Sequence, residues 1–362
     1  NNSGAQGLSD IVDVDAIFAM QEESNKLNEN IIAEARPLPD RLRVTILMIN
    51  FDDNSQNNMY KNLALNLPRD LFAVEIIVAA GIGLNSNREF VREISRAFVP
   101  ITTFPSPQAD KLLRATDISI IANSNDDADM FALLRLAKDS NVRLVMDLPN
   151  SVVDDEIVAM DVVDHFVAPS HHVKSILGSQ KNVKVIYPVA VDIDPLDAVL
   201  HEEVRHWTSG RPIRIGYLGR LSPERSPGLF FHMARYLLDR QLTSSSTFEF
   251  VIAGSGPLHG SLVELARVLN IDQSVRFVGN LSPTEVDGFL HDDVDVIVNT
   301  RMTETFGISN VEAIKAGVTV VAFRIGGNRE SAAHGSGGIL VDVKEGFEGL
   351  GNAVLNLKSL DK

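Results

Sequence analysis

Four stretches in the second half of the chain combine residue types that bind and polarise anions. In residues 303–317, Glu304 and Glu312 stand with seven residues between them, and Phe306, Gly307 and Ile308 fall inside that interval. An apolar strand precedes the stretch and a helical pattern follows it, so Glu304 falls in the connecting loop and Glu312 on the helix. Carboxylates at the two ends of such a turn hold sugar or ribose hydroxyls by charge-assisted hydrogen bonds. Amide groups at the helix start favour a diphosphate. In residues 216–227, Arg220 and Arg225 frame a turn directly after Gly219. Guanidinium forks match phosphate oxygens, and glycine lets the backbone approach a ligand. The plain alternative is a surface loop with two solvated arginines.

Two glycine turns extend the pattern. Ala253-Gly254-Ser255-Gly256-Pro257 follows another apolar strand and has the make-up of a phosphate nest. The GxGxxG spacing is not met, because the next glycine is Gly260, and no P-loop Lys-Ser/Thr follows. A tight strand-to-helix turn explains these glycines nearly as well. Gly326-Gly327 also follows a strand, where backbone amides can meet a ligand, and Glu330 is read as capping the next turn.

The elements that must carry these residues alternate along the chain. Strand-length apolar runs at 44–49, 74–80, 118–122, 143–146, 165–168 and 183–187 enclose amphipathic stretches at 58–67, 88–98 and 127–139. The signal lapses over 193–212, an acidic segment ending in Ser209-Gly210-Arg211-Pro212, and then restarts. Strands are expected at 213–218, 248–253, 275–278, 294–299, 319–323 and 338–341, with helices at 227–239, 258–269, 283–290 and 308–316. Near-continuous apolar strands between helices imply parallel sheets covered on both faces. The expected fold class is α/β: two Rossmann-like, doubly wound domains facing a cleft, with ligand at the carboxyl ends of the strands. Their expected limits are 41–205 and 206–362, after a polar extension over 1–40 that contains one helix-like patch at 11–20.

Composition narrows the function. The 362 residues include 48 acidic and 33 basic side chains, a formal charge of −15. Coating a nucleic acid needs clustered Lys and Arg, so that class is excluded, whereas a small anionic ligand needs only a few local cations. The absence of cysteine removes disulfide scaffolds, thiolate nucleophiles and Cys-ligated metal centres. No apolar run reaches the roughly 18–20 residues that span a bilayer. A cytoplasmic chain is expected, and, with no initiator Met at its start, a processed form or a fragment of something longer is expected too. Arg88, Arg92 and Arg96 share one helical face, which offers peripheral contact with anionic lipid, but Glu89 and Glu93 dilute it and a solvated face is favoured. Asp127-Ala128-Asp129 and Asp293-Val294-Asp295 have the D-x-D spacing of metal-dependent transferases. In an acid-rich chain such spacing arises by chance, and no metal site is expected. His165, His171 and His172 are read as structural.

Together the four stretches resemble the nucleotide-sugar half of retaining GT-B glycosyltransferases, the glycosyltransferase family 4 group. Arg220 matches the family's Arg, and Arg225 stands where a Lys is usual. Glu304, Phe306, Gly307 and Glu312 match its E-x-F-G-x4-E element, and 254–257, Phe277-Val278-Gly279, Gly326-Gly327 and Glu330 follow in the family's order. Residues 166–170 and 185–192 are similar to the strands that close its acceptor domain. The resemblance implies Arg220, Arg225 and Glu304 as catalytic residues, with Glu304 on the donor sugar and Glu312 on the ribose. Gly219, Gly254, Gly256, Phe306, Gly307, Ile308, Gly326 and Gly327 would complete donor binding. It implies metal-independent hexosyl transfer with retention, from a nucleotide diphosphate sugar acting as substrate, with no cofactor. The acceptor would be a carbohydrate, lipid or protein. The pattern departs from the family at Asn50-Phe51-Asp52-Asp53-Asn54-Ser55-Gln56, where a Gly-rich loop is common. It departs again at Asp147-Leu148-Pro149-Asn150, near where a cleft His is common, and the family's closing helices are not evident. An inactive, glycosyltransferase-like nucleotide-sugar-binding or scaffold protein is the alternative these departures favour. A GT-B epimerase ranks below it, and a dehydrogenase lower still, because no dinucleotide fingerprint is present.

Overall fold

The computed structural model describes residues 41–48, 55–79, 88–122, 128–148, 163–177, 182–188, 211–241, 247–332 and 337–357. The extension at 1–40, the loop at 50–54, Pro149 and Asn150, residues 189–192, most of the expected linker and Asp127 lie outside them. The described residues group into two compact units. One runs to Met146 and includes Val163 and Asp164; the other holds Asp147, Leu148 and the residues from His165 onward.

The first sheet has seven strands: β1 (Leu42–Met48), β2 (Phe72–Ala79), β3 (Ile101–Phe104), β4 (Ile118–Ala122), β5 (Arg143–Asp147), β6 (His165–Ala168) and β7 (Val183–Val185). Their order is β3-β2-β1-β4-β5-β6-β7. The second sheet has six: β8 (Ile213–Leu218), β9 (Phe248–Ala253), β10 (Val275–Gly279), β11 (Val296–Asn299), β12 (Thr319–Phe323) and β13 (Gly338–Val341), ordered β10-β9-β8-β11-β12-β13. Both sheets are parallel. The expected α/β class of two doubly wound parallel sheets holds.

Alternate side chains of the second sheet enter different cores. Phe248, Phe250 and Ile252 pack with Phe230 and Leu237 on one face, whereas Val251 and Ala253 pack with Ala313 and Val318 on the other. Burial on both faces is why these strands read as continuous apolar runs rather than alternating ones. The order reverses between β8 and β11, which pair through Val296 with Ile215 and Ile297 with Gly216. Loops leaving the carboxyl ends of strands at such a switch point diverge and leave room for a ligand.

β3, the helix Pro107–Arg114 that follows it, and the helices His171–Leu177, Asn328–Ser331 and Gly346–Leu357 were not expected from the sequence. The expected helix at 283–290 ends at Gly288, and the chain continues as one wider π turn over Phe289–Asp293.

Candidate functional site

Three sequence-nominated segments leave the carboxyl ends of neighbouring strands of the second sheet: the turn after β8, the turn after β9 and the loop after β11. The first two are joined backbone to backbone. Gly219 N–H donates to Ala253 O (2.9 Å), Leu221 N–H to Ser255 O (2.9 Å), and Leu258 N–H returns to Leu221 O (3.0 Å). Gly254 has φ +138°, and a side chain there would collide with the carbonyl oxygen of Gly219; one at Gly256 would collide with that of Leu221. These two glycines therefore have a structural duty, the close packing of one turn on the next.

The paired arginines part company. Arg220 is exposed, and none of its guanidinium hydrogens is taken by a described residue. Its carbonyl accepts the Tyr217 hydroxyl (3.0 Å), which fixes the backbone of the turn. Burial pushes the Tyr217 phenol up to about 12, so it stays protonated and remains a donor. Arg225 closes the short 3-10 turn Pro223–Arg225 and folds back under Gly219, its Nη1 2.9 Å from where a Cβ on that glycine would lie. Its carbonyl is held by the Thr300 hydroxyl (3.1 Å). Burial lowers the Arg225 guanidinium from its usual value; nearby Arg301 adds to the effect and Glu304 opposes it.

Arg301 is the charged residue of this cluster that the sequence pattern missed. Its Nη1 donates to Glu304 Oε1 (3.1 Å), and Thr305 N–H donates to the same oxygen (3.1 Å). The Glu304 side chain is only 3% exposed, and Oε2 takes no hydrogen bond from any described residue. Arg301 Nε is buried without a partner among the described residues. A small cavity lined by Tyr217, Arg225, Asn299, Arg301 and Ser309 has room for about one water. The available signal was generic: opposite charges three residues apart, just beyond a strand.

Behind the loop runs a second set of polar residues that the sequence did not nominate. Asn299 donates to Asn310 Oδ1 (2.9 Å), Asn310 donates to Asn328 Oδ1 (2.8 Å) and Ser331 Oγ (2.9 Å), and Asn328 donates to Phe323 O (3.1 Å). This network ties the start of the helix Ile308–Lys315 to the short helix Asn328–Ser331. Gly307 precedes the former with φ +88°, a left-handed conformation that costs little without a Cβ. Ile308 opens that helix, and Phe306 is buried at its foot. Glu312 lies one turn further along, partly buried and with no hydrogen bond to a described residue, and burial raises its carboxyl above the usual range. Gly326 and Gly327 lie directly against the loop: side chains there would strike the carbonyl oxygens of Glu304 and Thr305, and Gly327 N–H donates to Glu304 O (2.7 Å).

The D-x-D pair near β11 is divided between arginines. Asp295 accepts from Arg211 and Arg214, and Asp293 from Arg276. The His172 imidazole lies against the Gly326 turn, its Cδ2 3.1 Å from where a Cβ on that glycine would lie, and the His171 ring stands edge-on to Tyr187 with 6.4 Å between centroids. Among the described residues no group of three or more His, Asp or Glu is arranged to hold a metal, and no helix is long and apolar enough to cross a membrane.

Residues 202–361 match the family model described as "Glycosyl transferases group 1". A D-inositol 3-phosphate glycosyltransferase of Corynebacterium urealyticum is 33% identical over 133 residues, 35% of this chain and 31% of that protein. The chain spans about a third of the length of the curated relatives it matches. Among solved structures, a glycosyltransferase from Rickettsia africae superposes with a TM-score of 0.64 at 14% identity, covering 89% of each chain. Sucrose-phosphate synthase from Thermosynechococcus elongatus gives 0.61 at 14% identity, over 89% of this chain and 90% of that one. At such identities the likeness establishes the fold. The chain has the GT-B fold, and residues 202–361 carry a domain of the glycosyl transferases group 1 family.

Proposed function

We propose that the chain transfers a glycosyl group from a nucleotide diphosphate sugar to a carbohydrate, lipid or protein acceptor, with retention at the anomeric carbon. In that reaction the bond from the anomeric carbon to the diphosphate oxygen breaks, and its electron pair leaves with the diphosphate. The acceptor hydroxyl forms the new bond on the same face and gives up its proton to an oxygen of the departing diphosphate. Negative charge grows on the leaving group, and the task of the site is to meet it with fixed positive charge.

The observation that carries this reading is the grouping of Arg225, Arg301 and Glu304 at the sheet's switch point, with one Glu304 carboxylate oxygen that no described residue bonds. Arg220 and Arg225 are the charges assigned to the diphosphate, a role that requires no divalent metal. Glu304 Oε2 is assigned to a hydroxyl of the donor sugar, and Glu312, partly buried and without a partner among the described residues, to the ribose. Amides at the start of the helix Ile308–Lys315 and the Gly326 amide complete the donor contacts, with Gly327 holding the loop from behind. The group 1 domain and the glycosyltransferase names of the relatives support the same class of chemistry. The division of the chain into an acceptor part over 41–205 and a donor part over 206–362 belongs to this proposal, as does peripheral rather than spanning contact with any membrane.

A thermal-shift panel of UDP-, GDP- and ADP-sugars tests it. A ligand at 100 times its dissociation constant stabilises by about 2.7 kcal/mol, so one nucleotide should raise the unfolding temperature clearly. Arg220→Ala should then lower turnover roughly a hundredfold or more while the unliganded protein unfolds at an unchanged temperature. No stabilisation by any member, or near-normal turnover in Arg220→Ala, sinks the assignment.

A further inference from the structure

Glu330 sits on the short helix Asn328–Ser331, one turn beyond the Gly326-Gly327 pair, and its carboxylate is fully engaged. Oε2 accepts from the His171 amide (2.9 Å) and the Tyr187 hydroxyl (3.0 Å), and Oε1 accepts from the His172 amide (3.0 Å). His171 and His172 open the helix His171–Leu177. Three donors on one carboxylate make it a firm anchor, because hydrogen bonds to a charged group are roughly twice as strong as neutral ones. All of these residues belong to the second compact unit.

The bonds close into a ring around the loop that carries Glu304. Ser170, which precedes the helix His171–Leu177, accepts the Val173 amide (3.1 Å) and donates its hydroxyl to Thr305 O (2.5 Å). From the other side, Gly327 N–H donates to Glu304 O (2.7 Å). The path therefore runs from Thr305 through Ser170 and the His171–His172 amides to Glu330, then through the Gly327 backbone to Glu304. The Tyr187 ring, held by Glu330, lies 5.3 Å from the Phe306 ring. Consecutive residues Glu304, Thr305 and Phe306 are thus each contacted: Glu304 O by the Gly327 amide of the turn that carries Glu330, Thr305 O by Ser170 next to the amides that Glu330 holds, and Phe306 by the Tyr187 ring bonded to Glu330.

We propose that Glu330 is a positioning residue that clamps the Glu304–Phe306 loop, so that the open oxygen of Glu304 is held at one place for the donor sugar. The catalytic consequence rests on the donor reading of Glu304; the clamp itself does not. In Glu330→Ala the amides of 304–307 should exchange their hydrogens about tenfold faster, the effect expected when a charge-assisted contact is removed. Turnover should fall about tenfold, while binding of the nucleotide without its sugar stays within about twofold. Glu330→Gln keeps one acceptor oxygen and should be intermediate, as should Tyr187→Phe, which removes one of three donors. Glu285→Ala is the control, because Glu285 completes a capping box on the helix Pro283–Gly288 (Ser282 N–H to Oε2, 2.7 Å). It should cost stability without quickening exchange at 304–307.

Exchange at 304–307 that is unchanged in both Glu330 variants overturns the clamp, and so does equal quickening in Glu285→Ala. Failure of wild-type protein to bind any nucleotide sugar would overturn the donor reading alone, since the exchange comparison needs no ligand.

Discussion

Arg301 sets the electrostatics of the site at the level of single residues. It neutralises a carboxylate that is almost wholly buried, and at the same time presses its own charge on Arg225. Removing one partner of a buried pair leaves the other uncompensated, which typically costs about 3 kcal/mol or more. Arg301→Met, which preserves most of the side-chain bulk, should lower unfolding free energy in urea by about 3 kcal/mol. A change within about 0.5 kcal/mol, the usual range for a surface substitution, would show that Glu304 does not depend on its partner. The sequence made Glu304 and Arg225 legible because a carboxylate before Phe-Gly and an arginine after a strand-ending glycine form a spaced pattern. It left Arg301 unread because one further cation in a loop has no periodicity and no fixed spacing. The asparagines at 299, 310 and 328 were hidden for a related reason. Their bonds run between loops distant in the chain, and nothing local distinguishes a buried asparagine from a solvated one.

At the level of elements, the site depends on two turns being able to touch. Gly254 is the point of contact, and alanine there meets both an unfavourable positive φ and the Gly219 carbonyl. Gly254→Ala should cost about 2–4 kcal/mol, the range of backbone strain joined to a core clash, and should weaken donor binding by pushing the Arg220 turn away. Gly260 offers the contrast. It lies in the helix His259–Val268, and a Cβ there meets nothing within 4 Å. Gly260→Ala should stabilise by about 0.5–1 kcal/mol through helix propensity. Parallel urea titrations of the two variants separate them by sign. Most elements were readable because a strand buried on both faces produces an unbroken apolar run, and 213–218, 248–253, 319–323 and 338–341 were placed at their observed limits. The helix Gly346–Leu357 escaped because Gly346, Gly349 and Gly351 argue against a helix by propensity. Close packing overrides that cost: a side chain on Gly351 would lie 2.7 Å from the Tyr236 ring of the helix Gly228–Gln241. β3 and the helix Pro107–Arg114 escaped because Ile-Thr-Thr-Phe is short and half polar.

The whole molecule carries a charge of −15, and its response to acid depends on where the carboxylates sit. Among the described residues most are exposed, but Asp295 has a side chain only 1% exposed at the start of β11. It receives Arg211 through Oδ2 and Oδ1 (2.8 and 2.9 Å), the Arg214 amide (2.9 Å) and the Arg214 guanidinium (3.0 Å). The Asp295 amide returns a bond to Arg214 O (2.8 Å), so this group staples β8 to β11 at the end of the sheet opposite the site. Burial alone would raise the Asp295 carboxyl. The arginine bonds outweigh it and hold the group at about 2, below its usual 3.8. A carboxyl that is more acidic in the folded state contributes stability that is complete above the unfolded value and is lost as pH falls toward the folded one. The window is therefore roughly pH 4 to 2, and the contribution at neutral pH is about 2 kcal/mol at 1.4 kcal/mol per unit. Asp295→Asn keeps the shape but leaves two arginines without their counter-charge, so it should lose at least that much at pH 7. Its stability should also fall less steeply than wild type between pH 4 and 2, because one linked proton uptake is gone. Urea unfolding at pH 7, 4, 3 and 2 measures both effects, and parallel acid limbs in the two proteins would remove Asp295 as the staple that joins the two halves of the second sheet.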